Sequence, residues 1–275
     1  MNIFKQLLLT FILTFTPAPA SAGYLEDIGR NLNFCGEPVP LNQPEVFKAV
    51  DQNLILLAEA RSRIWLTLRR SSRFLPVIER ELAKAKVPND LKYIPLAITN
   101  LAPDYNNVGR GLWRLRESEA KLLGLKVDET IDERLDPVTA TVAAARRLSD
   151  LKNIYGSWTT AMAAHLISEL SVQKSVAEAD GEKNYYQLYF SEGQEQLPST
   201  VLASKIIFSD LAAFGYNPNP AQAWPPLTNH RETLETATTI RALATQFGQD
   251  YKTFRDMNPH LLSPTVPAGV TINIP

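Results

Sequence analysis

The stretch "DPVTATVAAARRLSDLKNIYG", residues 136 to 156, constrains the fold more than any other part of the chain. Asp136 suits a helix cap, Pro137 the first helical position, and Gly156 a left-handed stop, so a long helix is fixed at both ends. Helix signals surround it. Phe47, Val50, Leu54 and Leu57, then Ile64 and Leu68, recur at three- and four-residue spacing. "RFLPVIERELAKAKVP" reads as a short helix stopped by Pro88, with Asn89 and Asp90 capping the next one. "SWTTAMAAHLISELSVQKSVAEA" reads as one further helix and "LPSTVLASKIIFSDLAAFGY" as another. The chain is therefore expected to be mainly α up to about residue 215. "NPNPAQAWPPL" then marks a proline-rich linker. Beyond it "RETLETATT" and "GVTINIP" alternate like strands around two short helices, "IRALATQFG" and "YKTFRDMNP", a small α+β module of βααβ order.

The first 22 residues follow a different logic. Lys5, an apolar run from Leu7 to Phe15, and a small-residue end at Ala20, Ser21 and Ala22 read as a secretory signal cleaved before Gly23. The apolar run is too short for a permanent membrane anchor, so the expected product is a periplasmic protein with no anchor after cleavage. Cleavage removes one lysine, leaving 27 basic against 29 acidic residues, a formal charge of about −2. That balance argues against nucleic acid as a partner. The arginines between Arg61 and Arg80 read as a solvated helix face. Cys35, the only cysteine, reads as a buried inert thiol. His165, His230 and His260 are scattered without metal-ligand spacing, and no phosphate loop or nucleophile elbow occurs. No metal or cofactor is expected.

Several strings occur in an order that resembles one family. "VPNDLKYIPLA", "GLW" at 111 to 113, "DERLDP" at 132 to 137, "ATVAAARRLSDL", "YGSWTTAMAA", "NYY" at 184 to 186 and "FGY" at 214 to 216 resemble the lytic murein transglycosylases of the membrane-bound D type. Those have a goose-lysozyme-like helical domain. The tail resembles a divergent LysM repeat through "MNP" and "INIP", without the usual Gly-Asp-Thr opening. The resemblance implies a signal at 1–22, a lytic-transglycosylase-like helical domain at 23–216, a linker at 217–230 and a LysM-like domain at 231–275. It also implies cleavage of murein by a single glutamate, which protonates the leaving oxygen and then acts as base while the muramic 6-hydroxyl closes an anhydro ring. Only a group with a tunable pKa can give a proton and take one back near neutral pH.

The register that carries the resemblance puts Ile98 on that glutamate and Thr99 on the serine after it. Two further elements depart. The "A-Y-N-A-G-E-G" loop becomes "AHLISEL", with His165 on the tyrosine, Leu166 on the asparagine and Glu169 in register. "E-T-R-x-Y" falls on "GQEQL", residues 193 to 197. Three separate departures inside a kept framework imply lost chemistry. The residues expected to line a glycan groove are Gly111, Leu112, Trp113, Arg114, His165, Glu169 and Tyr185. Asp104 and Glu169 are the substitutes to weigh for the absent acid, although displacement by six residues rarely restores catalytic geometry. Glu79 and Glu81 are expected to be salt-bridged or exposed. Three functions follow. One is a pseudoenzyme binding murein strands or other cell-wall enzymes, one an active enzyme with a relocated acid, and one a protein-binding scaffold whose groove is filled by residues such as Leu166 and Leu170.

Overall fold

The computed structural model describes residues 24–27, 31–102, 109–191, 193, 194, 196–227 and 230–275. The expected signal at 1–22 and the substitute acid Asp104 lie outside the described residues. In chain order the elements are α1 (Tyr24–Asp27), β1 (Asn33–Phe34), β2 (Glu37–Pro38), α2 (Pro44–Glu59), α3 (Arg61–Lys84), α4 (Tyr93–Thr99), α5 (Glu117–Leu122) and α6 (Pro137–Tyr155). They continue with α7 (Trp158–Leu166), α8 (Glu169–Glu178), α9 (Gln196–Ser209), β3 (His230–Thr233), β4 (Thr238–Thr239), α10 (Ile240–Gln246), α11 (Tyr251–Met257), β5 (Thr265–Val266) and β6 (Thr271–Ile274). Among the described residues, 3₁₀ turns connect them at Asn89–Lys92, Glu133–Leu135, Tyr185–Gln187 and Pro220–Gln222.

The chain is mainly helical, as its periodicity demands. α2 and α4 pack on α9, α3 packs on α6, and α6 packs on α7. Val50, Leu54, Ile64, Ile78, Leu148, Leu202 and Ile207 meet in one buried core. α6 begins and ends where the sequence places it: the Asp136 carboxylate accepts from the Thr139 amide, and Gly156 closes the helix with φ +76°. A substituent at Gly156 would meet no atom within 4 Å, so the positive φ alone makes glycine the suited residue there.

Four sequence expectations are corrected. "RFLPVIERELAKAKVP" is the second half of a single 24-residue helix, α3, which carries Pro76 in its interior. Asn89 and Asp90 do not cap α4: they lie in a 3₁₀ turn, and the Asp90 carboxylate instead accepts from the Cys35 amide and Lys205 Nζ, each at 2.7 Å. The expected single helix from Ser157 to about Ala179 is two, because the Ser168 hydroxyl accepts from the Ser171 amide and starts α8 afresh. Cys35 is half-buried rather than buried, and burial pushes its thiol pKa upward, away from reactivity. Glu79 pairs with Lys92 at 2.6 Å, whereas Glu81 is buried and held by Arg80 at 2.7 Å and Lys84 at 3.1 Å.

The tail has the βααβ order read from sequence, with an added β4–β5 pair. β3 and β6 are antiparallel, His230 opposite Ile274, and α10 and α11 cover Ile240, Leu243, Phe254, Val266 and Ile272. It is no free appendage. Ile131 of the helical part is buried in this second core. The Asp132 amide donates to His260 O at 2.9 Å, and the Leu262 amide to Thr130 O at 2.8 Å. Asp136, 1% exposed, accepts from Arg231 and, at 3.3 Å, from Asn273 Nδ2. The proline-rich segment lies along α3: Ser72 Oγ donates to Trp224 O at 2.9 Å, and the Leu227 amide donates to Arg73 O at 3.2 Å.

Candidate functional site

Ile98 sits in the last turn of α4, half-buried against the main core. The helix ends just beyond it, where Asn100 (φ 51°) and Leu101 (φ 53°) turn left-handed. Thr99, 5% exposed, places its hydroxyl between Pro95 O at 2.9 Å and Leu112 O at 3.1 Å, donating to one at a time. That bond stitches α4 to the loop at 109–115. The loop itself needs its glycines: a side chain on Gly111 would bring a carbon to 1.8 Å from Arg134 O, and one on Gly109 to 2.1 Å from Arg114 O. Arg134 is in turn pinned by Asp132 through two 2.8 Å bonds, both residues being buried. "DERLDP" thus braces the loop and, through Asp136, the tail.

Leu112 and Trp113 do not open onto a groove. Trp113 is fully buried, and its indole N–H donates to Thr141 Oγ1 of α6 at 2.9 Å. His165 of α7 lies edge-on to that ring, with centroids 6.5 Å apart, and its Nε2–H donates to Trp113 O at 3.2 Å. Its Nδ1 is buried without a partner. Burial, the largest influence, pulls the His165 pKa down to about 4 against the opposing pull of Glu119, so the ring is neutral near pH 7. Thr99, the 109–115 loop and His165 therefore form one closed, hydrogen-bonded seam. Tyr185 is also interior, stacked on Phe190 at 5.6 Å. Arg114 is half-buried with φ 50°. Leu166 packs half-buried against the core, whereas Leu170 stands 76% exposed and fills no groove.

Glu169 is the candidate that reaches an open cleft. This depression of about 490 Å³ is walled by α5, α6 and the start of α8. Glu169 accepts from Arg147 at 2.7 Å and from Gln173 at 3.2 Å. Glu119 pairs with Arg116 at 2.9 Å and with Arg147 at 3.7 Å, and Arg116 also donates to Ile167 O at 2.6 Å. Both carboxylates are thus taken up as acceptors of hydrogen bonds from arginine. Arg116, Glu119 and Arg147 were absent from the sequence-derived site. The one local signal was the acid-rich "RESE" start of α5, which reads as ordinary helix capping.

Residues 93–188 match the family model for the Transglycosylase SLT domain. The matched span opens at α4 and closes just after the Tyr185–Gln187 turn, so it holds Ile98, the 109–115 loop, His165 and Glu169. The chain is lytic-transglycosylase-like. Membrane-bound lytic murein transglycosylase D of Escherichia coli strain K12 is 23% identical over 188 residues, which is 66% of this chain and 41% of that protein. The protein of the same name from E. coli O6:H1 strain CFT073 matches to the same extent. The chain thus spans about two-fifths of the length of the curated relatives it matches. Among the described residues no helix is long and apolar enough to cross a membrane.

Proposed function

We propose that this protein associates with murein, binding its strands or another cell-wall enzyme, without cleaving glycosidic bonds. The observation that carries this reading is Ile98 in the last turn of α4, beside a seam that hydrogen bonds and packing have closed. Cleavage of the glycosidic bond requires a proton for the leaving oxygen and, in the anhydro-forming route, a base to take one from the 6-hydroxyl. An isoleucine side chain supplies neither. The reading also needs the register that sets Ile98 on the glutamate, which rests on the resemblance and on the match to relatives named as lytic transglycosylases.

The relocated-acid alternative draws little support from Glu169, whose carboxylate is taken up by Arg147. The scaffold alternative keeps one point in its favour, the exposed Leu122 (88%) and Leu170 (76%) at the cleft. Periplasmic placement after removal of residues 1–22, and sugar binding by the LysM-like tail, belong to the same proposal. Because the tail buries Ile131 and grips Asp136, deleting it would unsettle the helical part, so binding is best tested on the full chain. Purified protein mixed with sacculi should co-sediment, and peptide-free glycan chains should compete. A protein left entirely in the supernatant at low salt would refute murein binding.

A further inference from the structure

Two charges on the cleft wall stand outside its ion-pair network. Arg146 and Asp150 lie on α6 and line the cleft, both exposed. Neither side chain forms an ion pair or hydrogen bond among the described residues, while Arg116, Glu119, Arg147 and Glu169 beside them are joined together. Residues four apart on a helix hold their Cβ atoms about 5–6 Å from each other, so one face presents a cation and an anion side by side. Across the lip, Leu122 and Leu170 are 88% and 76% exposed. The volume of about 490 Å³ lies within the usual range for small-ligand sites.

The chemistry narrows the occupant. Arg116, Arg146 and Arg147 are balanced by Glu119, Asp150 and Glu169, so the cleft has no net charge to hold a polyanion. Its lining has no aromatic ring on which a sugar face could stack, and a neutral sugar leaves two opposed charges unanswered. A ligand with its own carboxylate and ammonium answers both. We propose that this cleft binds the short peptide arms of murein, with a free carboxylate against Arg146, a free ammonium against Asp150, and alkyl carbons over Leu122 and Leu170. The inference rests on the murein reading above and names the part of murein that this surface takes.

Titration calorimetry on the full chain, with the tetrapeptide L-Ala-γ-D-Glu-meso-diaminopimelate-D-Ala as probe, tests it. Saturable binding is expected, weakening with salt. Arg146→Glu and Asp150→Lys should each weaken it by about threefold to tenfold, since each exchanges an attraction for a repulsion. Acetylating the peptide's two amines should weaken binding to the parent protein and strengthen it for Asp150→Lys, whose lysine then no longer faces an ammonium. Circular dichroism should show both variants folded, as these exposed side chains support nothing else. Absence of tetrapeptide binding, or equal affinity in parent and both variants, overturns the proposal. If that happens while peptide-free glycan still binds, the murein reading stands and only the peptide cleft falls. If neither glycan nor sacculi bind, both fall.

Discussion

The seam around Ile98 and the cleft beside Glu169 adjoin through Arg116, which donates to Ile167 O and pairs with Glu119, yet they are held by different forces. In the seam, Trp113 is fully buried, Thr99 and His165 are nearly so, and each polar bond runs to a backbone carbonyl or to a buried hydroxyl. In the cleft, charged side chains meet one another at the edge of solvent and leave an open volume. A glycan-cleaving site needs features of both: a carboxyl partly stripped of water, and room for a substrate beside it. Here the two features have separated. The stripped region holds an isoleucine, and in the open region Glu119 and Glu169 are already bound to arginine while Asp150 stands exposed on α6.

Substitutions should respond to that difference in order of burial. Trp113→Ala empties a fully buried site and removes the indole bond to Thr141, so it should cost about 3–5 kcal/mol in a urea melt. A loss under 1 kcal/mol would mean that the seam is looser than described here. His165 should report by pH. Its pKa of about 4 in the folded protein lies below the ordinary value of 6.5, so the unfolded chain binds the extra proton first as pH falls. Stability is therefore full above about pH 6.5 and declines toward pH 4, by up to on the order of 3 kcal/mol from this residue. The difference between the parent and His165→Gln, melted across that window, isolates the effect. Equal slopes would place His165 in contact with water.

Ile98→Glu sharpens the comparison at the point where the two regions parted. A half-buried carboxyl without a partner should lower stability by roughly 1–3 kcal/mol, and the variant should stay inert, because His165 and Leu166 stand where the resemblance puts the loop that would hold a sugar at near-attack geometry. Release of muropeptides by this variant would show a groove still built for catalysis. Glu169→Ala should have the smallest effect, about 0–1 kcal/mol and screened by salt, since its ion pair with Arg147 is half-exposed.

Most of the helical frame was legible in the sequence because its signals are local. Asp136, Pro137 and Gly156 fix α6 whatever surrounds it, and the tail's alternation gave β3 and β6. The misreadings share a non-local cause. The stretch from Arg73 passes for a separate short helix, but tertiary packing carries α3 from Arg61 through Pro76 to Lys84. Asp90 passes for a cap until Lys205, far along the chain, is seen to hold it. Trp113 passes equally for core or groove wall, and only Thr141 and His165, brought to it by α6 and α7, place it in the core. The docking of the tail on Ile131 and Asp136 has no signature in either segment alone. The cleft was missed for the same reason, since Arg116, Arg147 and Glu169 come from three separated helices or their ends.

The most direct test of the account is the release of anhydro-muropeptides from purified sacculi by the unmodified protein, resolved by chromatography against a buffer control. On the proposed register Ile98 stands where a proton donor is required, and among the described residues the seam holds no carboxyl, so release should not rise above that control at any pH between 5 and 8. Protein-dependent release that grows with time and enzyme concentration would contradict the account.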